Sequence, residues 1–296
     1  MSPSRLQISR PDIHKFFDEL PGKTLHHADL GRILQQQRAF WRLTQNTSTT
    51  TFIRFLTDSG NLSVFEFPFP TPYKRKKVYA WGPVPFYEVV LGISSKCYFS
   101  HYSAMKIHGL TEQIPKTYYI NEEQELESWL AGKLTQATIN AAFKRPVRVT
   151  KRIAETNDYR VVFLNGKNTG NFGVVEEEFN GATERIGRIR VTNIERTLID
   201  ITVRPVHSGG VNEVLKAFEL AREKVSVNRL AAMLKKLAYI YPYHQAIGYY
   251  LERAGYKPSL IDLFRSFPRE FDFYLEHGMK ENEYVKEWRL FIPKWF

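Results

Sequence analysis

The sequence predicts an α+β fold in two parts. Residues 1–82 have the pattern of a winged helix-turn-helix domain, and residues 83–296 have that of a larger mixed α/β domain with a helical C-terminal part. Three observations support this prediction. A hydroxyl-rich helix start precedes a basic hairpin, the stiff connector Gly82-Pro83-Val84-Pro85 follows, and mixed strand and helix patterns then give way to amphipathic helices from Gly210.

A helix followed by a hairpin is predicted at the end of the first part. Small hydroxyl side chains at 47–51 favour a helix start, and apolar side chains recur at helical spacing from 52 to 56. Gly60 is typical of a helix end, because glycine adopts the left-handed conformation without strain. Two strand-like runs, 62–67 and 78–81, then enclose a proline-broken turn and four consecutive cations.

Two further helices are predicted before this segment. Pro11 suits the first position of a helix, and apolar spacing continues to Leu20. Thr24 is predicted to cap a second helix that runs on to Trp41 or Leu43. The order of helix, helix, hydroxyl-rich helix and hairpin is that of a winged helix-turn-helix, which places a helix in the major groove of DNA.

The charge distribution favours a polyanionic partner. The chain has 296 residues, a formal net charge of +11 and a sequence pI of about 9.5. Residues 1–82 contain twelve Lys and Arg against six Asp and Glu, so their net charge of +6 is more than half of the total. Charge alone does not separate a nucleic acid from a membrane surface. No apolar run approaches the roughly 18 residues of a membrane span, so a membrane partner is not expected.

The expected compartment is the cytoplasm. Cys97 is the single cysteine, which excludes an internal disulfide and a cysteine-rich metal site. The first ten residues lack the apolar stretch of a secretory signal.

The candidate DNA contacts fall into two groups. One is predicted to reach base edges or nearby phosphates from the hydroxyl-rich helix, and the other to contact phosphates from the hairpin, which gives affinity and salt dependence but little sequence choice. The first group is Thr47, Ser48, Thr49, Thr50 and Arg54, and the second is Lys74, Arg75, Lys76 and Lys77. The alternative is a small α+β domain whose basic hairpin is merely solvated.

A second basic cluster occurs later in the chain. It consists of Lys144, Arg145, Arg148, Lys151 and Arg152, interspersed with apolar residues. This cluster predicts a surface for DNA or for an acidic patch of a partner. A strand edge protected by cations explains it equally well.

The residues that suggest chemistry have structural explanations. His101 and His108 share one helix face, but no third ligand of suitable type lies nearby, so hydrogen-bonded histidines are expected. Ser100 and Ser103 beside His101 suggest a nucleophile, but helix capping explains serines at such positions. An acidic helix start is predicted from Glu122 to Trp129. We therefore predict no enzymatic activity, no cofactor and no metal.

Two blocks of sequence resemble a known family. The first runs from Cys97 to Ile120 and contains Ser-His-Tyr-Ser-Ala, His-Gly-Leu-Thr and Pro-Lys-Thr; the second is Ile189 to Asp200, with Val-Thr-Asn-Ile-Glu-Arg-Thr-Leu-Ile-Asp. Both are similar to the AbiEi family, the antitoxin and transcriptional-regulator half of abortive-infection toxin–antitoxin operons of type IV. The resemblance covers most of the chain but does not include the C-terminal piece from Phe271.

The resemblance implies a DNA-binding antitoxin that acts in phage defence. Such a protein represses its own operon by binding double-stranded promoter repeats, and it counteracts a cognate nucleotidyltransferase-like toxin. Direct contact with the toxin is left open. Two alternatives remain: a C-terminal domain that modifies the toxin as an enzyme, and a protein-interaction module without specific DNA binding.

Overall fold

The computed structural model describes residues 3–114, 116–125, 133–179 and 187–296. The fold is a mixture of helices and several sheets, so the predicted α+β class is confirmed. The chain divides into two compact units, Met1–Cys97 with 152–157 and 178–189, and Tyr98–Lys151 with 158–177 and 190–296. In the part of the chain that is described, no helix is both long and apolar enough to cross a bilayer.

Five helices and a three-stranded sheet make up residues 1–97 of the first unit. In chain order the elements are α1 Arg5–Ile8, α2 Arg10–Asp18, β1 Thr24–Leu25, α3 His27–Gln37, α4 Thr49–Asp58, β2 Leu62–Phe67, β3 Lys76–Trp81 and α5 Phe86–Leu91. The sheet has the order β1–β3–β2 and is antiparallel throughout. Helices α3 and α4 pack on each other, and α4 also packs on β2.

An aromatic cluster fills the core of the first unit. Phe17, Trp41, Phe52 and Trp81 are all buried, and their ring centroids lie 4.8 to 6.2 Å apart in the contacting pairs. Because the four rings come from α2, the segment after α3, α4 and β3, burial of this cluster holds α4 to these parts of the unit.

Two sequence predictions for this unit are wrong. Thr24 does not cap a helix; it lies in β1 opposite Ala80, and His26 precedes α3 instead, with its backbone N–H donating to Asp29. The second helix does not reach Trp41 either. It ends at Gln37, and the chain turns at Arg42, whose φ is +49°. Trp41, just before this turn, is buried in the core.

The second unit is built on a mixed sheet and a group of helices. In chain order the remaining elements are β4 Tyr98–Phe99, α6 His101–Ile107, β5 Thr117–Asn121, α7 Gln136–Phe143, β6 Ile153–Glu155, β7 Arg160–Leu164, β8 Val174–Phe179, β9 Gly187–Thr192, α8 Ile194–Val203, α9 Val211–Ala221, α10 Val227–Leu237, α11 Tyr243–Arg253, α12 Pro258–Arg265, β10 Phe273–Tyr274, β11 Asn282–Val285 and β12 Leu290–Pro293. Of these, β6, the end of β8 and the start of β9 belong to the first unit. The predicted helix from Glu122 is wrong for residues 122–125, which are not helical, and its remainder lies outside the described residues.

Two sheets frame these helices. In the larger, β7, β5, β4, β9 and β8 lie in that order, with β4 parallel to β9 and β5 parallel to β7. The smaller has the order β10–β12–β11, and Trp288 before β12 packs against α11. A Cβ at Gly248 of α11 would lie 2.1 Å from this indole, so glycine is required there for the close approach.

Helix α8 is the centre of the second unit. It packs against α6, α9, α10 and α11, and its residues from Glu195 to Thr202 are buried. The β-strands that precede α6 and α8 are neighbours, with Phe99 opposite Val191. The two blocks of sequence described above therefore pack together in one core.

Candidate nucleic-acid interface

Helix α4 exposes one polar face. The Ser48 hydroxyl caps it by accepting a hydrogen bond from the backbone N–H of Thr51 at 3.1 Å. Phe52 and Leu56 are fully buried, whereas Thr50, Thr51 and Arg54 are exposed. The helix is therefore held by its apolar face and presents hydroxyl and guanidinium groups to solvent.

The predicted base-contacting residues divide by role. The Thr47 hydroxyl lies 3.1 Å from that of Thr44, Ser48 is the cap, and half-buried Thr49 faces Gly31 of α3, where a Cβ would lie 3.4 Å from its Oγ1. Thr50 and Arg54 make no side-chain hydrogen bond or ion pair with another described residue. These two side chains keep all their donors for an external partner.

The segment joining α3 to α4 is fixed by Arg38. Its guanidinium donates hydrogen bonds to the backbone carbonyls of Thr44, Gln45 and Thr47, the last at 2.9 Å. These bonds set the position of the first turn of α4. Sequence analysis missed this role, because bonds to backbone carbonyls leave no pattern in the side chains of their partners.

The four hairpin cations are not equivalent. Lys74 and Arg75 lie in the turn between β2 and β3 and are exposed, whereas Lys76 and Lys77 belong to β3 itself. Lys77 pairs with Glu66 on β2, with Nζ and Oε1 2.5 Å apart. This bond raises the pKa of Lys77 and lowers that of Glu66. Counting back across the hairpin would have identified Glu66 as the neighbour of Lys77.

The second basic cluster is divided between the two units. Lys144, Arg145, Arg148 and Lys151 are exposed in the second unit. Arg152 belongs to the first unit and is half-buried, with its guanidinium 5.7 Å from the ring centroids of both Phe69 and Tyr73. Arg152 therefore packs on the aromatic residues of the β2–β3 turn.

The histidines of α6 are held by hydrogen bonds. His108 Nε2 lies 2.6 Å from the Thr192 carbonyl oxygen, and His101 Nδ1 lies 2.9 Å from the Ser100 hydroxyl. Ser100 is buried, which leaves its hydroxyl no access for a substrate. Within residues 3–114, 116–125, 133–179 and 187–296, no group of three or more metal-ligating side chains is assembled.

A buried group of charged and polar side chains surrounds α8. Arg196 Nε donates to Asp200 at 2.8 Å, and its Nη1 donates to the Phe172 carbonyl at 2.7 Å. Although burial lowers it, the pKa of Arg196 is raised overall by the Asp200 carboxylate. Burial, with Arg196 and Arg204 nearby, lowers the pKa of His101 to about 3. These groups use their hydrogen-bonding capacity inside the protein.

Comparisons with known proteins provide a fold but no family. No family model matches the chain, and no curated protein matches it. Among solved structures, the chain is similar to the crystal structure of the RV2827C protein from Mycobacterium tuberculosis, with a TM-score of 0.59 and 14% sequence identity. The match covers 98% of this chain and 93% of that chain, so the likeness extends over both units.

Proposed function

We propose that this protein is a DNA-binding repressor of the antitoxin type, which binds duplex DNA through the first unit. The observation that carries the proposal is the exposed polar face of α4 beside the β2–β3 hairpin. In this proposal α4 enters the major groove, and the hairpin is a wing that follows the phosphate backbone.

The arrangement of elements supports a winged helix-turn-helix. The order α2, β1, α3, α4, β2, β3 and the sheet order β1–β3–β2 place two packed helices beside a hairpin, with α4 as the second helix of the pair. The segment between α3 and α4 is longer than a minimal turn, and the Arg38 bonds hold it in one conformation.

The exposed groups have the chemistry of DNA recognition. An arginine can donate two hydrogen bonds to guanine O6 and N7, and a threonine can contact a base edge or a thymine methyl group. Arg54 and Thr50 are the unpaired candidates for that role. Lys74 and Arg75 would contact phosphates, and Lys76 and Lys77 would add charge from β3.

The regulatory part of the proposal rests on the AbiEi resemblance. In this proposal the protein represses its own operon, and its second unit counteracts a nucleotidyltransferase-like toxin encoded in the same operon. The buried hydrogen bonds of Ser100, His101 and Arg196 favour a structural role for the resembling blocks. The exposed cations Lys144, Arg145, Arg148 and Lys151 are the candidate surface for DNA or the toxin.

Fluorescence anisotropy with the full-length protein tests DNA binding. One duplex contains the region upstream of its own gene, and the other is a scrambled duplex of equal length. Replacing Lys74 and Arg75 by alanine should weaken binding to both duplexes and reduce the salt slope of log K by about 1.8, because about 0.9 is lost for each phosphate contact. Arg54→Ala should instead lower the preference for the promoter by roughly 5- to 150-fold, the equivalent of one bidentate base contact.

The matched control is the double substitution Lys280→Ala and Lys286→Ala. It removes the same charge from exposed positions of the second unit and should leave the slope unchanged. If the two double substitutions weaken DNA binding equally, binding depends on the net charge of the protein and not on the position of Lys74 and Arg75. Absence of binding to any duplex would instead favour the protein-interaction alternative.

A further inference from the structure

A small cavity in the second unit contains a cation and a carboxylate that are not paired with each other. Its volume is about 120 Å³. Val147, Val203, Pro205 and Val206 are the apolar residues of its lining, and Arg204, Glu276 and His277 are the polar ones. Since liquid water occupies about 30 Å³ per molecule, the space suits a compact ligand of a few heavy atoms.

Arg204 provides the positive side of the cavity. It follows α8 directly, and its backbone N–H donates a hydrogen bond to the Asp200 carbonyl at 3.0 Å. This bond holds the backbone from which the Arg204 side chain extends. The guanidinium donates to the Val203 carbonyl at 3.1 Å and interacts with the Tyr243 hydroxyl. No ion pair joins it to a carboxylate of the described residues. Several of its five N–H donors therefore stay available.

Glu276 provides the negative side. It lies just beyond β10, in a segment held by the bond from the Leu275 N–H to the Phe291 carbonyl at 2.9 Å. Its half-buried side chain makes no hydrogen bond or ion pair with any residue that the structure describes. Burial raises the pKa of this carboxyl group. An unpaired, partly desolvated carboxylate is costly unless a ligand supplies its partner.

His277 stays neutral beside these two groups. Its ring stacks on Phe143 with the centroids 4.1 Å apart, and Nδ1 lies 3.2 Å from the Ala142 carbonyl oxygen. Burial and the charge of Arg204 lower the pKa of His277. The imidazole is therefore a neutral polar part of the cavity lining and adds no second positive charge to it.

We infer that this cavity binds a small zwitterion, with its anionic group on Arg204 and its ammonium group on Glu276. The two protein groups line one cavity without forming an ion pair, so a molecule that carries both charges satisfies both at once. Each contact is a charge-assisted hydrogen bond, which is stronger than a neutral one. The volume selects a ligand the size of glycine or alanine, and the three valines accommodate a methyl group. This inference is independent of DNA binding.

Isothermal titration calorimetry with the full-length protein tests the inference. The probes are L-alanine, propionate and ethylamine, so that one carries both charges and the other two carry one each. L-alanine should give saturable binding with one site per chain. Propionate and ethylamine should each bind at least about tenfold weaker, because each leaves one protein charge without a partner. L-tryptophan should not bind, because its side chain exceeds the space available.

Variants locate the site. Arg204→Gln and Glu276→Gln should each reduce L-alanine affinity at least about tenfold, and Glu276→Gln should narrow the difference between L-alanine and propionate. Glu281→Gln is the matched control, since this exposed carboxylate lies five residues further on and should not change affinity. If a variant fails to unfold cooperatively, the probe series on the unsubstituted protein still decides. No saturable L-alanine binding, or equal binding of alanine and propionate, would overturn the inference.

Discussion

Helices α4 and α8 have the same length but opposite surroundings. Both have ten residues, and both begin after a side chain that caps the helix, Ser48 in one and Asn193 in the other. In α4 only Phe52 and Leu56 are buried, whereas eight consecutive residues of α8 are. The comparison shows that two capped helices of equal length differ in burial, because one lies at a surface and the other in a core.

The arginines of the two helices illustrate the difference. Arg54 of α4 is exposed and makes no side-chain hydrogen bond to another described residue. Arg196 of α8 is buried and donates to Asp200, Thr169 and the Phe172 carbonyl. A side chain whose donors are used internally stabilises the fold, and one whose donors are unused is available to a partner. In our proposal the first unit is thus the candidate for recognition, and Arg196 stabilises the second unit.

The largest expected effect comes from breaking the buried pair of α8. Arg196→Met should lower the free energy of unfolding by about 3–5 kcal/mol, because it leaves the Asp200 carboxylate buried without its partner. Urea denaturation followed by circular dichroism measures the change. Arg54→Met is the matched control and should change stability by less than about 0.5 kcal/mol. Equal losses in the two variants would contradict the contrast between the helices.

The pH dependence of stability sharpens the same contrast. Burial, His101 and Arg204 lower the pKa of His207 in the folded protein to about 3, while the unfolded value is 6.5. Below pH 6.5 the unfolded state therefore binds more protons, and stability falls as the pH drops towards 3. The slope is about 1.4 kcal/mol per pH unit for each such histidine.

Substitution of His207 should remove its part of that slope. Between pH 6.5 and 5, the free energy of unfolding of His207→Gln should fall by about 2 kcal/mol less than that of the unsubstituted protein. Urea unfolding at each pH measures this difference. His27→Gln, at an exposed histidine of α3, should leave the slope unchanged. If both variants keep the original slope, the proton uptake that destabilises the fold occurs elsewhere.

Removal of the α4 cap should have a smaller effect. Ser48→Ala should cost about 1 kcal/mol of stability, because the Thr51 N–H loses its acceptor. Thermal or urea unfolding measures this, with Thr50→Ala on the same helix as the control. We expect Thr50→Ala to change DNA site preference with little change in stability. If Thr50→Ala instead lowers stability and Ser48→Ala changes site preference, the roles of helix cap and base contact are assigned to the wrong residues.

The smallest effect on stability is expected at the hairpin. Glu66→Gln removes the exposed partner of Lys77 and should leave the unfolding curve unchanged. The same substitution should tighten DNA binding and steepen its salt dependence, because Lys77 then interacts with phosphate alone. Anisotropy at several salt concentrations measures this, with Glu283→Gln at an exposed position of β11 as the control. Weaker binding by Glu66→Gln would mean that the ion pair orients Lys77.

Local signals in the sequence were sufficient for several elements. The helix start within residues 47–51, the stop at Gly60 and the two hairpin strands are confirmed, because capping, glycine conformation and strand spacing are set by neighbouring residues. The cap at Asn193 is confirmed for the same reason. The DNA contacts assigned to these elements stay predictions.

Other features depended on residues far apart in the chain. The strand at Thr24 exists because β3 pairs with it, and no local pattern indicates a two-residue strand. Trp41, just before the turn at Arg42, packs on Phe16 of α2 and Phe52 of α4, and no local pattern indicates these partners. The cavity between Arg204 and Glu276 is likewise formed by segments more than seventy residues apart.

The sequence by itself determined the α+β class, several helix boundaries and the concentration of positive charge in residues 1–82. These properties follow from composition and from interactions within a few residues. The tertiary structure decided which polar groups are exposed. It buried Arg196 with Asp200, paired Lys77 with Glu66 and left Arg54 unpaired. Burial and pairing depend on what packs across the fold, and that determines which side chains keep hydrogen-bonding capacity for a partner.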